Sequence, residues 1–305
     1  MKRLLNCTAS DFAQMNKEAL LQAMKASEGR TMMSEVVCAS APMYPELTNA
    51  EFVAAFGADL ILLNVFDVNH PNIMGMPPVE PEETIRKLKE LLGRPVGINL
   101  EPVDESAHAL EQLDELPSGR RANDASFLRA KELGFDFICL TGNPKTGVSN
   151  KEIERAIVRA KKTVGDDLII IAGKMHAAGI TVDTQEGLAD TATVASFAKA
   201  GADVILLPGV GSVPGSTLDK TSALIRTAEE NGALALTTIG TSQEGAEKET
   251  IQQMALYNKM AGATIHHIGD AGLHGIAVPE NILTYSIAIR GRRHTYIRMA
   301  ASINR

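Results

Sequence analysis

Five short stretches place acid–base or nucleophilic side chains at or just after the ends of apolar runs. They are Asn64-Val65-Phe66-Asp67, Asn99-Leu100-Glu101, Thr141-Gly142-Asn143, Lys174-Met175-His176 and His266-His267-Ile268-Gly269-Asp270. Lys174 carries the sharpest chemical meaning. An ammonium group at the end of an apolar strand meets low-dielectric surroundings, which lower its pKa and favour Schiff-base formation with a carbonyl. The same group can instead stay cationic and neutralise a phosphate, carboxylate or enolate, or simply form an ion pair with Glu101 or Asp67. His176 titrates near neutrality and suits proton transfer, with Glu101 and Asp67 as further carriers. Lys174, His176, Glu101 and Asp67 are the expected catalytic set. Asn64, Asn99, Thr141, Asn143, His266 and His267 are expected to contact substrate.

A divalent metal is the competing use of the same donors, held by Asp67, Glu101 and His176 with a histidine from the last stretch. No HxxxH or DxD spacing calls for it, so no cofactor is required. Three glycine-rich loops supply another element of chemistry: Pro208 to Ser216, Gly240-Thr241-Ser242-Gln243-Glu244-Gly245 and Gly269-Asp270-Ala271-Gly272. Glycine lets backbone N–H groups converge on an anion, and Ser or Thr adds hydroxyl donors. Gly209, Gly211, Ser212, Gly240, Thr241, Ser242, Gly269 and Asp270 are the expected phosphate-binding positions, although the charge of Asp270 opposes an anion. The first loop reads G-x-G-x-x-x-G, which misses the dinucleotide fingerprint by one residue. Arg120-Arg121, in a long stretch from Pro102 to Ala122, can clamp a carboxylate or phosphate or lie on plain surface.

What must position these groups is a series of short apolar runs alternating with longer amphipathic ones. The runs centre on 35–38, 60–63, 96–100, 135–140, 168–172, 204–207, 233–237 and 264–268. They recur about every 33 residues, the length of a strand, a loop and a helix. Helical periodicity marks 82–92, 149–164, 217–230 and 247–260, with Ser149 and Thr217 as caps. A repeated phrase precedes several runs: Phe56-Gly57-Ala58-Asp59, Leu133-Gly134-Phe135-Asp136, Ala200-Gly201-Ala202-Asp203 and Ala261-Gly262-Ala263-Thr264. Its glycine suits a left-handed helix end. Strands without polar alternation are buried on both faces, as in a parallel sheet. Eight such units predict a (β/α)8 TIM barrel, one domain over 1–305, with an extra N-terminal helix capped by Ser10 and residues 1–30 closing the lower end. An open doubly wound sheet would normally show G-x-G-x-x-G after its first strand, where Ala39-Ser40-Ala41-Pro42 stands instead.

Function in a barrel comes from the carboxyl ends of the strands. Alternation puts Gly97, Asn99 and Glu101 on one face, inside the barrel, and pairs Lys174 with His176. Thr264 favours His266 over His267 as the inward residue. Composition narrows the partners. The 305 residues carry a formal charge of −7, with 4% aromatics and no Trp, which speaks against nucleic acid. No segment approaches the ~18 apolar residues of a membrane span. Cys7, Cys38 and Cys139 fit neither a disulfide framework nor a CxxC site, which points to a reducing cytoplasm. A homo-oligomer is expected, with Arg290-Gly291-Arg292-Arg293-His294 as a subunit contact or a solvated cluster.

At Gly93 to Pro102, Leu140 to Gly147, Ala172 to His176, Ile239 to Gly245 and Tyr285 to Arg293, the sequence resembles an uncharacterised bacterial TIM-barrel family often found beside sugar phosphotransferase genes. The likeness runs nearly end to end. Members sometimes carry the label haloacid dehalogenase-like hydrolase; the D-x-D-x-T or D-x-D-x-V motif of such hydrolases does not occur in this sequence. The resemblance implies the barrel and a place in sugar-phosphate metabolism, and supplies no catalytic residues. The expected function is an enzyme acting on a small phosphorylated sugar or sugar acid, of aldolase, isomerase or epimerase type. The alternatives are a metal-assisted lyase or hydrolase, and a non-catalytic sugar-phosphate-binding or assembly protein.

Overall fold

The computed structural model describes residues 2–104, 115–142, 146–175 and 190–305. Eight parallel strands close into a barrel in chain order. They are β1 (Thr31–Val37), β2 (Leu60–Asn64), β3 (Val96–Leu100), β4 (Phe137–Leu140), β5 (Ile169–Gly173), β6 (Val204–Pro208), β7 (Leu234–Ile239) and β8 (Ile265–Ile268). β8 returns to β1 with His267 opposite Met33. Eight apolar runs thus become eight strands, as their length and lack of polar alternation require. β1 starts earlier than its apolar run at 35–38, because Thr31 to Ser34 already pair with β8. Glu35 therefore lies in mid-strand.

Helices between the strands cover the outside: α3 (Asn49–Ala55), α4 (Thr84–Leu92), α5 (Asp124–Leu133), α6 (Asn150–Val164), α7 (Thr191–Ala200), α8 (Leu218–Glu230) and α9 (Lys248–Ala261). Ser149 and Thr217 cap α6 and α8 as expected. α3, α5 and α7 escape the periodicity but carry their own caps in Thr48, Asn123 and Asp190. Outward strand residues such as Val36, Ile61, Leu63 and Ile98 pack against these helices in one apolar layer.

The N-terminal segment departs from the single helix expected. It forms α1 (Ala9–Ala13) and α2 (Lys17–Lys25). Thr8, not Ser10, starts the first, its N–H and hydroxyl donating to the Asp11 carboxylate at 2.8 and 2.9 Å. Asn16 starts the second by accepting from the Ala19 N–H. Leu4, Phe12, Leu20 and Met24 cluster with the inward side chains Leu60, Phe137 and Ile265 at the lower end of the barrel.

The repeated Gly-containing phrase has a second role at that end. Gly57, Gly134, Gly201 and Gly262 all adopt positive φ. The Asp that follows in three of them bonds twice to the preceding strand. Asp59 takes the Met32 N–H on its carboxylate and gives its own N–H to the Met32 carbonyl. Asp136 does the same with Val96 and Asp203 with Ile170. Each is held by a cation: Asp136 by Lys89 at 2.8 Å and Asp203 by Lys17 at 2.6 Å. Asp59 takes Arg290 at 2.5 Å and Arg298 at 2.6 Å, both from α10 (Pro279–Ala300). Arg298 also donates to the Leu4 and Cys7 carbonyls, fastening the N-terminal segment. This corrects the subunit-contact or solvation reading for Arg290, which is buried and paired; Arg292 and Arg293 are exposed. The three cysteines are buried free thiols. No helix among the described residues is long and apolar enough to cross a membrane.

Candidate active site

The strand registers sort the inward residues into layers drawn from alternate strands. Leu60, Phe137, Val204 and Ile265 form the first layer, above Thr31, Ile169 and Leu234 at the base. Met33, Gly97, Ile171 and Leu236 lie above them, with the Phe137 ring filling the space at Gly97. The third layer is Leu62, Cys139, Leu206 and His267, and here the first ionisable nitrogen enters, the hydroxyl of Thr31 lying at the base. The fourth is Glu35, Asn99, Gly173 and Thr238. Above it come Asn64, Thr141, Pro208 and Gly269, then Val37, Glu101, Met175 and Gly240. The interior is thus apolar below and polar above, a well with its floor at His267.

His267 and Glu35 organise the floor. Thr238 lies 3.5 Å from the Met175 sulfur, to which its hydroxyl donates, and 2.5 Å from His267 Nδ1. Thr238 Oγ1 then accepts from Nδ1–H, which leaves Nε2 as an acceptor facing Glu35 at 3.3 Å. The other Glu35 oxygen accepts from the Asn99 amide. Burial pushes the Glu35 carboxyl up to about 8, with Glu244 and Glu101 adding to the rise and the Asn99 bond opposing it. Burial also pushes His267 down to about 4. Their close approach therefore joins a neutral acid to a neutral imidazole, not two ions.

The layer above is acidic too. Asn64 donates to Asp270 at 2.8 Å, and burial together with Glu35 raises the Asp270 carboxyl to about 7. Glu244 reaches into the space Gly269 leaves open; a Cβ there would sit 2.6 Å from its carboxylate. Its own carboxyl is raised, chiefly by burial. Asn99 Oδ1, Thr141 Oγ1, His267 Nε2 and Glu244 Oε2 are buried with no hydrogen-bond partner among the described residues. Such atoms each cost about 1–3 kcal/mol unless water or a ligand meets them.

The expected residues divide. Asn64, Asn99, Thr141 and His267 belong to the well. Glu101 is buried at its rim, in an ion pair with Arg120 at 2.9 Å. This ties Arg120 to the barrel, where the sequence left it as clamp or surface. Lys174 follows β5 half-buried; the side chain packed on Thr238 is its neighbour Met175. Asp67 sits in the loop after β2, taking the Asn69 N–H and approaching His70 at 3.4 Å. His176 and Asn143 lie outside the described residues. His266 points outward, against the Gly29 carbonyl and the Tyr285 hydroxyl. The preference for it over His267 is corrected, because register with Met33 fixes His267 inside. Among the described residues, no group of three His, Cys, Asp or Glu side chains is arranged for a metal ion.

The glycine loops are corrected in part. Backbone N–H groups of Gly209, Gly211, Ser212 and Gly269 are engaged by carbonyls of the chain itself. The Ala271 N–H goes to Glu244, so an internal carboxylate fills the anion position expected at Gly269 and Asp270. In the Gly240 loop, by contrast, Thr241 and Ser242 hold φ of 59° and 70°. No backbone acceptor among the described residues takes their N–H groups. Val65, at φ 60°, is equally strained after β2. Bulky or β-branched residues rarely adopt this region, and such strain concentrates at functional sites. The residues sequence reasoning passed over are Glu35, Thr238 and Glu244. Only Glu35 left a signal, as a lone charge in an apolar run.

A family model described as a domain of unknown function (DUF7916) matches residues 5–305. The chain belongs to the DUF7916 family. No curated protein matches this DUF7916 chain. Among solved structures it is similar to a Schiff-base-forming fructose-1,6-bisphosphate aldolase, at 16% identity and a TM-score of 0.54, covering 90% of this chain and 97% of that one. It is also similar to the carboxyl transferase domain of Rhizobium etli pyruvate carboxylase solved with pyruvate. There the identity is 9% and the TM-score 0.52, over 98% of this chain and 52% of that chain. At these identities the likeness shows the barrel alone. The phosphotransferase neighbourhood and the hydrolase label find no support in these matches.

Proposed function

We propose that this DUF7916 protein is an enzyme that moves a proton on a small phosphorylated sugar or sugar acid, in an aldol cleavage, isomerisation or epimerisation. The observation that carries this reading is the well: an apolar floor, a buried acid and imidazole upon it, and unpartnered acceptors around its axis. A barrel interior that only had to pack would be filled with aliphatic side chains to the top. Lys174, at the end of β5, binds or polarises the carbonyl. Glu101 and His176 exchange the proton with carbon. The Thr241 and Ser242 N–H groups take the phosphate.

The test begins with the covalent role of Lys174, since a barrel of the same fold is named for its Schiff base. Wild-type protein is incubated with dihydroxyacetone phosphate or pyruvate and reduced with borohydride. The expected result is a mass adduct that Lys174→Ala abolishes. A thermal-shift screen of sugar phosphates runs alongside. Turnover of a hit without any adduct removes the Schiff base and leaves Lys174 as a fixed cation. Absence of both turnover and adduct with every binding compound rejects the enzyme.

A further inference from the structure

We propose that Glu35 is the proton-donating group of the well, with His267 and Asn99 as its positioning residues, and that the ligand it meets presents a carbonyl or hydroxyl oxygen. The inference rests on the proton-transfer reading above and adds a donor that the strand-end residues do not supply. Glu35 lies in the layer directly above Leu62, Cys139, Leu206 and His267, so a ligand entering from the strand ends meets it before those side chains. One Glu35 oxygen accepts from the Asn99 amide, and the other faces His267 Nε2 at 3.3 Å. The imidazole is fixed in turn by Thr238, and Thr238 by Met175. The bonds from the imidazole outward have one direction, Nδ1–H to hydroxyl and hydroxyl to sulfur, which leaves Nε2 as an unpartnered acceptor facing the acid. Reversing it would turn Nδ1 into an acceptor and put the Thr238 hydroxyl, already directed at sulfur, on the wrong partner.

The surroundings keep a proton there. Facing Glu35 are Asn64 with Asp270 from β2 and the β8 loop, Asn99 and Glu101 from β3, and the Cys139 thiol from β4. Thr238 and Glu244 face it from β7 and its loop, and His267 from β8. Burial and the neighbouring carboxylates Glu244 and Glu101 all disfavour its ionised form. The unpartnered atoms point to the ligand's character. Asn99 Oδ1 and Glu244 Oε2 accept hydrogen bonds, and Thr141 gives or takes one. They suit hydroxyl groups better than phosphate oxygens, so the phosphate end lies at the rim and the carbonyl end on Glu35.

The step balances without a co-reactant. A C–H bond next to the carbonyl breaks and its proton passes to Glu101, in the rim layer roughly 5 Å above Glu35 by strand geometry. The electron pair becomes the C=C bond of an enediol, and the carbonyl oxygen takes the Glu35 proton. The reverse transfer restores the acid.

The experiment uses full-length protein and infrared difference spectroscopy against Glu35→Gln. A protonated-carboxyl C=O band present in wild type at pH 7 and missing from Glu35→Gln is the expected result. Superimposable spectra overturn the proposal. His267→Asn moves the pH at which the band is lost; an unmoved midpoint removes His267 as a positioning residue. The second arm follows deuterium from D2O into dihydroxyacetone phosphate by NMR. Wild type exchanges, and Glu35→Gln exchanges at least about 100-fold more slowly; equal rates overturn the proposal. If wild type exchanges nothing but dihydroxyacetone phosphate shifts the band, the enzyme reading fails while Glu35 stands as a donor to ligand. No exchange with an unmoved band overturns both.

Discussion

The protonation state of Glu35 has a consequence for stability that needs no substrate. Its carboxyl moves from 4.5 in the unfolded chain to about 8 in the barrel. At about 1.4 kcal/mol per pH unit, that displacement is worth on the order of 5 kcal/mol. The folded state holds a proton that the unfolded chain releases above 4.5. The associated stability is complete below that value and lost as pH rises through about 8. His266 and His267, both lowered to about 4 by burial, act oppositely: their contribution is present above 6.5 and lost as pH falls toward 4. Between roughly 4.5 and 6.5 the histidines offset Glu35 and Asp270. Above 6.5 the raised acids Glu35 and Asp270, with Glu244 in the same direction, act without the histidines, and wild-type stability declines. Glu35→Gln removes one of these acids while keeping a donor for His267 and an acceptor for Asn99. Urea denaturation of both proteins from pH 5 to 8.5 measures the difference. The variant should gain on wild type by about 2 kcal/mol between pH 6.5 and 8. A difference flat to within about 0.5 kcal/mol over the whole range would refute a neutral Glu35 and make the well a solvated cleft.

Two further perturbations probe the frame and the strain. Asp59→Asn leaves the Arg290 and Arg298 guanidiniums buried without their carboxylate, so denaturant unfolding should show a loss of about 3–5 kcal/mol; a loss under about 1 kcal/mol would mean that the carbonyls they also donate to, Gly57 for Arg290 and Leu4 and Cys7 for Arg298, suffice. Val65→Gly relieves a β-branched residue at φ 60° and should raise stability by about 1 kcal/mol in the same assay, an expectation defeated by an unchanged or lower midpoint.

The barrel was legible because its signals are local. A buried parallel strand writes itself as an unbroken apolar run, and Gly57, Gly134, Gly201 and Gly262 mark the turns leading into four of them. The well was less so, because its members meet only through closure. Asn99 and Glu35 are 64 residues apart, and no spacing rule joins them. Which of two adjacent histidines points inward depends on the register with Met33 across the closing seam, which Thr264 alone could not reveal. The glycine loops misled for a different reason. Composition shows how many N–H groups a loop owns but not which carbonyls of the same loop already bind them, as the Ser216 carbonyl binds the Gly211 N–H. Glu244 illustrates the same limit: its carboxylate fills the space of a residue in another loop.

The aspartates at the lower end have an implication for how the ring is divided. Asp59 joins β2 to β1, Asp136 joins β4 to β3, and Asp203 joins β6 to β5. At the joins between these couples main-chain bonds cross at the base, such as Ile61 to Pro95, Ile169 to Asp136 and Leu234 to Asp203, and side chains add to them, Arg94 donating to the Ala58 carbonyl and Lys131 pairing with Asp167 at 2.7 Å. Three two-strand staves are thus each riveted within themselves by an aspartate, while the fourth, β7 and β8, is joined at its base by the Thr264 N–H to the Ala235 carbonyl. Glu35, Asn99, Thr238 and His267 come from three different staves, so the well exists only when the staves are assembled. Any cut that lets a stave lean outward separates these four side chains before it unfolds the stave itself.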